Sequence, residues 1–119
     1  NSSGIRDFYA SKGIDGNLFT VISNGIEPRT GPSITREDAL QRLQLSSDSR
    51  VIGAVGRLWP QKGYKDLIWT GSMINVVRPN VHLVIIGEGP QREILEQYRD
   101  NIGANKNVHF VGHRDDVAD

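Results

Sequence analysis

Two cations stand five positions apart in the segment Gly56-Arg57-Leu58-Trp59-Pro60-Gln61-Lys62-Gly63. A guanidinium can grip phosphate oxygens bidentately, and an ammonium on a flexible stem acts as a movable point charge. Together they suit a diphosphate, whose charge must be neutralised if it is to leave. The apolar run Val51 to Val55 ends at Gly56, and Gly63 opens a helical pattern. The pair therefore lies between a strand and a helix, where the first N–H groups of the helix add partial positive charge. The plain alternative is a solvated loop with two ordinary surface cations.

Two further segments follow apolar runs in the same way. Gly87-Glu88-Gly89-Pro90 is a glycine-rich turn that would let a ligand approach the backbone, or simply a tight turn with Pro90 in the first helical position. It is not a dinucleotide fingerprint, because Arg92 stands where G-x-G-x-x-G needs its third glycine, and no G-x-x-x-x-G-K-[ST] loop occurs. Gly112-His113-Arg114-Asp115-Asp116-Val117 could contact a nucleotide base, or cap a following helix through Asp115 or Asp116. His82, His109 and His113 do not form a metal-ligand pattern; the first two open strands and read as structural or solvent-facing. Trp69 sits in a helical pattern and reads as packing, whereas Trp59 lies in the cationic loop itself.

The elements that position these loops follow from periodicity. From residue 49 onward the order is β-α-β-α-β: strands over Val51–Gly56, Val81–Gly87 and Val108–Gly112, and helices over about 63–77 and from Pro90 to Gly103. Leu67, Ile68, Gly71 and Ile74 supply one helix face, and Ile94, Leu95, Tyr98 and Ile102 the other. The strands are near-continuous apolar runs rather than alternating ones, as in a parallel sheet covered on both faces. A Rossmann-like α/β sheet with right-handed crossovers puts all three glycine-marked strand ends on one edge, where ligands bind. A strand order of 3-2-1 leaves the far side of the first strand open, to be covered by the N-terminal segment or by self-association.

Residues 1–48 form a separate extension: a short helix carrying Ile5, Phe8 and Tyr9, a short strand at Phe19, Val21 and Ile22, and an Asn24-Gly25 turn. A loop with Pro28, Gly31 and Pro32 follows, then a helix opened by the capping box Thr35-Arg36-Glu37-Asp38, with Ala39, Leu40 and Leu43 as its apolar stripe.

Composition narrows the function. The 119 residues balance 14 basic against 14 acidic side chains, which disfavours a nucleic-acid binder. No cysteine is present, so thiol and disulfide chemistry drop out. No apolar run approaches the roughly 20 residues that span a bilayer, and no signal peptide is apparent. A start at Asn1 rather than Met suggests an excised segment.

In order and spacing, four of these segments resemble motifs of the retaining group 1 (family 4) glycosyltransferases. Val21-Ile22-Ser23-Asn24-Gly25-Ile26 is similar to their V-I-P-N-G-V/I segment, with Ser23 in place of proline. Gly56-Arg57-Leu58 with Lys62-Gly63 resembles G-R-L…K-G, and Val84 to Pro90 and Phe110-Val111-Gly112 match two later strand ends. The resemblance implies the two-domain GT-B architecture, with this chain holding the first half of the C-terminal, donor-binding domain from residue 49 and the crossing from the N-terminal domain before it. It implies a nucleotide-diphosphate sugar as donor, with Arg57, Lys62, Gly56 and Gly63 at the diphosphate. Gly87, Glu88, Gly89, Pro90, His113 and Arg114 fall near the nucleoside pocket. No metal or other cofactor is implied, because the cations do the neutralising. The family's paired glutamates and its acceptor domain are expected outside this chain, so no catalytic residue falls within it and the piece alone should be inactive. A cytoplasmic parent, peripheral at the inner membrane surface where the acceptor is a lipid, is the corresponding expectation. The competing reading is a non-catalytic nucleotide-binding or interaction module on the same scaffold.

Overall fold

The computed structural model describes residues 2–25, 31 and 34–117. The chain forms two compact units, Asn1–Thr30 and Gly31–Asp119.

In the first unit, helix α1 (Ser3–Ser11) starts where the Ser2 hydroxyl accepts the Ile5 N–H, at 3.3 Å. A 3-10 turn, Gly16–Leu18, follows, with the Asp15 carboxylate accepting the Asn17 N–H. The Tyr9 and Phe19 rings stack with centroids 6.1 Å apart. The strand expected at Phe19, Val21 and Ile22 does not form; residues 19–25 carry no regular element. A strand needs a partner for its N–H and C=O groups, and this unit offers none among its described residues. Ile26, Pro28 and Pro32 lie outside the described residues.

The second unit opens with α2 (Arg36–Arg42). Its capping box is made as the sequence implies: Thr35 Oγ1 accepts the Asp38 N–H at 3.1 Å, and the Asp38 carboxylate accepts the Thr35 N–H at 3.3 Å. Then come β1 (Arg50–Val55), α3 (Tyr64–Val77), β2 (Val81–Ile86), α4 (Arg92–Asn101) and β3 (Val108–Gly112). The strands pair in parallel in the order β1-β2-β3, with Arg50 opposite Val81 and Leu83 opposite Val108. This is the expected Rossmann-like partial sheet.

Strand alternation sorts the side chains. Leu83 and Ile85 of β2 join Ile68 of α3, Leu95 of α4, Val108 of β3 and the loop residue Leu58 in one core, each at most 2% exposed. Gly71 brings α3 close to β2: a Cβ there would stand 3.1 Å from Leu83 Cδ2. Asn107, buried beside it, donates to the Gly71 carbonyl at 3.2 Å. Gly103, at φ 69°, ends α4 in a Schellman motif, its N–H on Asp100 O and the Ala104 N–H on Arg99 O.

Four expectations are corrected. Among the described residues the sheet is not covered on both faces: Val51 and Ile52 are more than a third exposed and Val55 is 61% exposed. β1 is an edge strand, and on the second face seven-residue α2 leaves an apolar groove of about 160 Å³ lined by Ala39, Leu43, Val51, Val84, Ile86 and Val111. Pro90 precedes α4 rather than opening it, because Gly89 and Pro90 form the turn that the Arg92 N–H closes onto Gly89 O. Ile94, next to buried Leu95, points outward and is 58% exposed. Trp69 is half exposed and does not pack inside.

The histidines at the opposite end of the sheet from the loops contact each other, His82 Nδ1 to His109 Nε2 at 3.0 Å. They are half-buried rather than solvent-facing. Burial, then His82 and Arg99, holds the His109 pKa below its ordinary 6.5. Above that pH the ring is neutral in both folded and unfolded chains. As pH falls through about 6.5 the unfolded chain takes up the proton first, so stability is lost toward the lower folded pKa. Thermal melts should therefore show Tm level at neutral pH and falling once the pH drops below about 6.5. The fall should shrink in His109→Gln; an equal slope in that variant would discount the pair. Among the described residues no helix is long and apolar enough to cross a membrane.

Candidate functional site

The three loops at the carboxyl ends of the strands are locked to one another by main-chain bonds. Leu58 N–H donates to Glu88 O at 3.0 Å, and Gln91 N–H donates back to Leu58 O at 3.1 Å. Gly87 N–H reaches Gly112 O at 2.7 Å, and Gly56 N–H reaches Ile86 O at 3.0 Å. The glycines follow from this crowding. Gly87 has φ 138°, and a Cβ on it would fall 2.0 Å from the Gly56 carbonyl oxygen; one on Gly89 would fall 2.6 Å from Leu58 O. Gly89 is therefore explained by loop-on-loop packing, a reason that neither of its two sequence readings gave.

These loops wall an open pocket of about 470 Å³, lined by Val55, Gly56, Arg57, Ile86, Gly87, Glu88, His113, Arg114 and Val117. Six of the ten candidate residues meet there: Gly56, Arg57, Gly87, Glu88, His113 and Arg114. Gly63, Gly89, Pro90 and Lys62 are outside its wall. Lys62 ends a 3-10 turn (Pro60–Lys62) in the same loop, exposed, and Gly63 at φ 67° turns the chain into α3. Lys62 therefore belongs to the same loop as Arg57 but not to the pocket wall.

Charge is distributed unevenly around the rim. Arg114 chelates Asp116, with Nε to Oδ1 at 2.7 Å, and Asp116 also faces Arg42 of α2 at 3.7 Å. That hydrogen bond holds the Asp116 carboxyl below the usual carboxylate range. Asp116 thus binds Arg114 and ties the last loop to α2. Arg92 bridges Glu88 at 2.9 Å and Glu96 at 2.6 Å, and its guanidinium lies over Phe110 at 5.2 Å. By contrast Arg57 and Lys62 have no carboxylate partner among the described residues. Arg57 rests near the Trp59 ring, 6.0 Å from its centroid. Within the pocket Arg57 is the cation left free for an anion, and Glu88 is an acceptor held in place by Arg92. Among the described residues no three His, Asp or Glu side chains gather as a metal would require.

Sequence reasoning missed two residues. Leu58, fully buried, is the clamp between the first and second loops. Tyr64, the first residue of α3, is buried with its hydroxyl against Gly56. An aromatic directly after Lys62-Gly63 was visible in the sequence, but only the packing of α3 against β2 places it there.

The model of the glycosyl transferases group 1 family matches residues 35–119. A lipopolysaccharide core biosynthesis glycosyltransferase, LpsD of Rhizobium meliloti, is 35% identical over 92 residues, which are 77% of this chain and 24% of that protein. An Escherichia coli UDP-Gal:alpha-D-GlcNAc-diphosphoundecaprenol alpha-1,3-galactosyltransferase is 29% identical over 118 residues, 95% of this chain and 30% of its own length. Among solved structures, Anabaena Alr3699/HepE in complex with UDP-glucose superposes with a TM-score of 0.77 at 26% identity, over 99% of this chain and 33% of that one. The chain thus spans a third or less of each of these relatives.

Proposed function

The chain belongs to the group 1 glycosyl transferases, and from that premise we propose that it carries the donor side of an enzyme that transfers a sugar, with retention, from a nucleotide diphosphate. The observation that carries this reading is the pocket at the carboxyl ends of three parallel strands with Arg57, free of any carboxylate among the described residues, in its wall. In open α/β sheets ligands bind at that edge. The UDP-glucose held by Anabaena Alr3699/HepE supports a nucleotide sugar as the ligand class.

The chemistry follows from charge. When the bond between the anomeric carbon and the diphosphate oxygen breaks, negative charge grows on the departing phosphate. Arg57 would take two of its oxygens through its fork of N–H groups, and Lys62 would swing in from the same loop as a second positive charge. Fixed cations aimed at developing charge lower the barrier to departure. Glu88, fixed by Arg92, offers a carboxylate to donor hydroxyls, and His113 and Arg114 line the same pocket. The acceptor and the groups that complete catalysis belong to other parts of the parent, so this chain alone holds the donor without turning it over.

Calorimetric titration of the chain with UDP tests the assignment, with UDP-glucose hydrolysis assayed alongside. Saturable binding that weakens with added salt is expected, without release of free sugar. Absence of UDP binding would favour an interaction module, and turnover would show that the chain is catalytically complete.

A further inference from the structure

We propose that the Tyr64 hydroxyl is a further donor-binding group, hydrogen-bonding a phosphate oxygen of the nucleotide diphosphate where Gly56 meets the N-terminus of α3. The inference rests on reading the pocket as the donor site.

Tyr64 is 7% exposed, and its ring belongs to the core with Leu58, Ile68, Leu83 and Ile85. Its hydroxyl emerges beside Gly56: a Cβ on that glycine would stand 2.8 Å from Tyr64 Oη. Gly56 is itself part of the pocket wall. The hydroxyl makes no hydrogen bond to another described residue. Yet among those residues no wholly inaccessible side-chain polar atom lacks a partner. Tyr64 Oη therefore still opens to solvent, beside Gly56, although Tyr64 itself is not part of the pocket wall. A ring fixed in the core that presents an unpartnered O–H beside the strand ends holds a donor ready for a ligand oxygen.

The surroundings favour an anion as that acceptor. α3 has 14 residues, and its N-cap is Gly63, which has no side chain to satisfy the first turn. The first amides of α3 to find acceptors are those of Asp66 and Leu67, both on Gly63 O, at 3.1 and 3.2 Å. The Tyr64 and Lys65 amides are left facing the strand ends, with the positive end of the helix dipole behind them. Burial pushes the Tyr64 phenol above its ordinary pKa of 10.0, so the group is a donor at neutral pH. Phosphate oxygens accept hydrogen bonds and need no donor of their own.

A structural role and a ligand role separate cleanly in Tyr64→Phe. The ring that packs the core stays, and no protein hydrogen bond is lost, so the ligand-free variant should melt at or above the Tm of the parent chain. UDP and inorganic pyrophosphate should each bind about tenfold more weakly, the size of one lost hydrogen bond to a charged group. Uridine, which carries no phosphate, should bind both proteins alike. Equal UDP affinity in the two proteins would overturn the inference while leaving the donor site standing. A lower ligand-free Tm, or an equal loss for uridine, would show the hydroxyl to be structural and also overturn it. If the parent chain bound none of the three probes, the donor-site reading would fail first and this inference with it.

Discussion

Gly87→Ala is expected to abolish cooperative folding of the sheet-bearing unit. The added methyl would lie 2.0 Å from the Gly56 carbonyl oxygen, in a backbone conformation of φ 138° that L-residues rarely adopt. Such backbone strain alone costs of order 1–3 kcal/mol. The clash is with main chain, which cannot rotate away as a side chain can. Gly56 is held on its other flank by Tyr64 and by its own bond to Ile86 O. Relief would require β1 and β2 to part at their carboxyl ends, breaking the Gly56–Ile86 and Leu58–Glu88 bonds together. A domain of this size has only about 5–15 kcal/mol in total, so the variant should show no sharp thermal transition. Gly53→Ala is the matched control. It lies in the same strand-pair, where an added Cβ meets nothing within 4 Å, and should melt within a few degrees of the parent. A Gly87→Ala protein that melts like Gly53→Ala would refute the packing account.

The same crowding unites fold and site. Three strand ends that approach this closely leave room for backbone only, and what remains above them is a pocket rimmed by the side chains that follow each strand. Leu58 turns its side chain into the core while its main chain bonds to the second loop, so the cationic loop is anchored at its centre. Arg57, one residue before that anchor, is thereby fixed relative to the pocket. Lys62, four residues after it and at the end of a 3-10 turn, keeps more freedom. The fixed fork and the mobile point charge are thus a consequence of where the loop is pinned.

What the sequence made legible follows from the kind of signal each element leaves. Val81 to Ile86 and Val108 to Val111 are near-continuous apolar runs, each broken by one histidine, because β2 and β3 sit in a parallel sheet, and runs of that type are readable without a partner. Phe19 to Ile22 has similar residues but no neighbouring strand among the described residues of its unit, and pairing is not written in the segment itself. Ile94 and Leu95 both fit an apolar face by spacing, yet only one can point at β3, and the phase of α4 was set by the Gly89-Pro90 turn. The cations of the pocket were legible because charge and glycine are conspicuous. Tyr64 was not, since an aromatic in a first helical turn has the same sequence appearance whether it packs, binds or does both. The carboxylate partners that neutralise Arg114 and Arg92 were equally hidden, although they decide which arginine remains available to an anion.

That distinction sets the expected result for the cations themselves. Arg57→Ala with Lys62→Ala should weaken UDP binding at least a hundredfold while leaving the fold intact. Hydrogen bonds to charged groups are worth roughly 1.5–3 kcal/mol each, and every 1.4 kcal/mol is tenfold in affinity. The singles should be unequal. Arg57 lies in the pocket wall and Lys62 does not, so Arg57→Ala should account for most of the loss. Arg57→Lys should recover only part of it, because an ammonium keeps the charge but not the bidentate fork. Stability should barely move, within about 0.5 kcal/mol, since both side chains are exposed and neither has a carboxylate partner among the described residues. Arg114→Ala is the informative contrast. It would release Asp116 from its bidentate partner and loosen the tie to α2, so it should lower Tm and reduce affinity less than Arg57→Ala. UDP binding untouched by the double substitution would show that the free charges serve only the surface; a loss larger in Arg114→Ala than in Arg57→Ala would move the phosphate to the other side of the pocket.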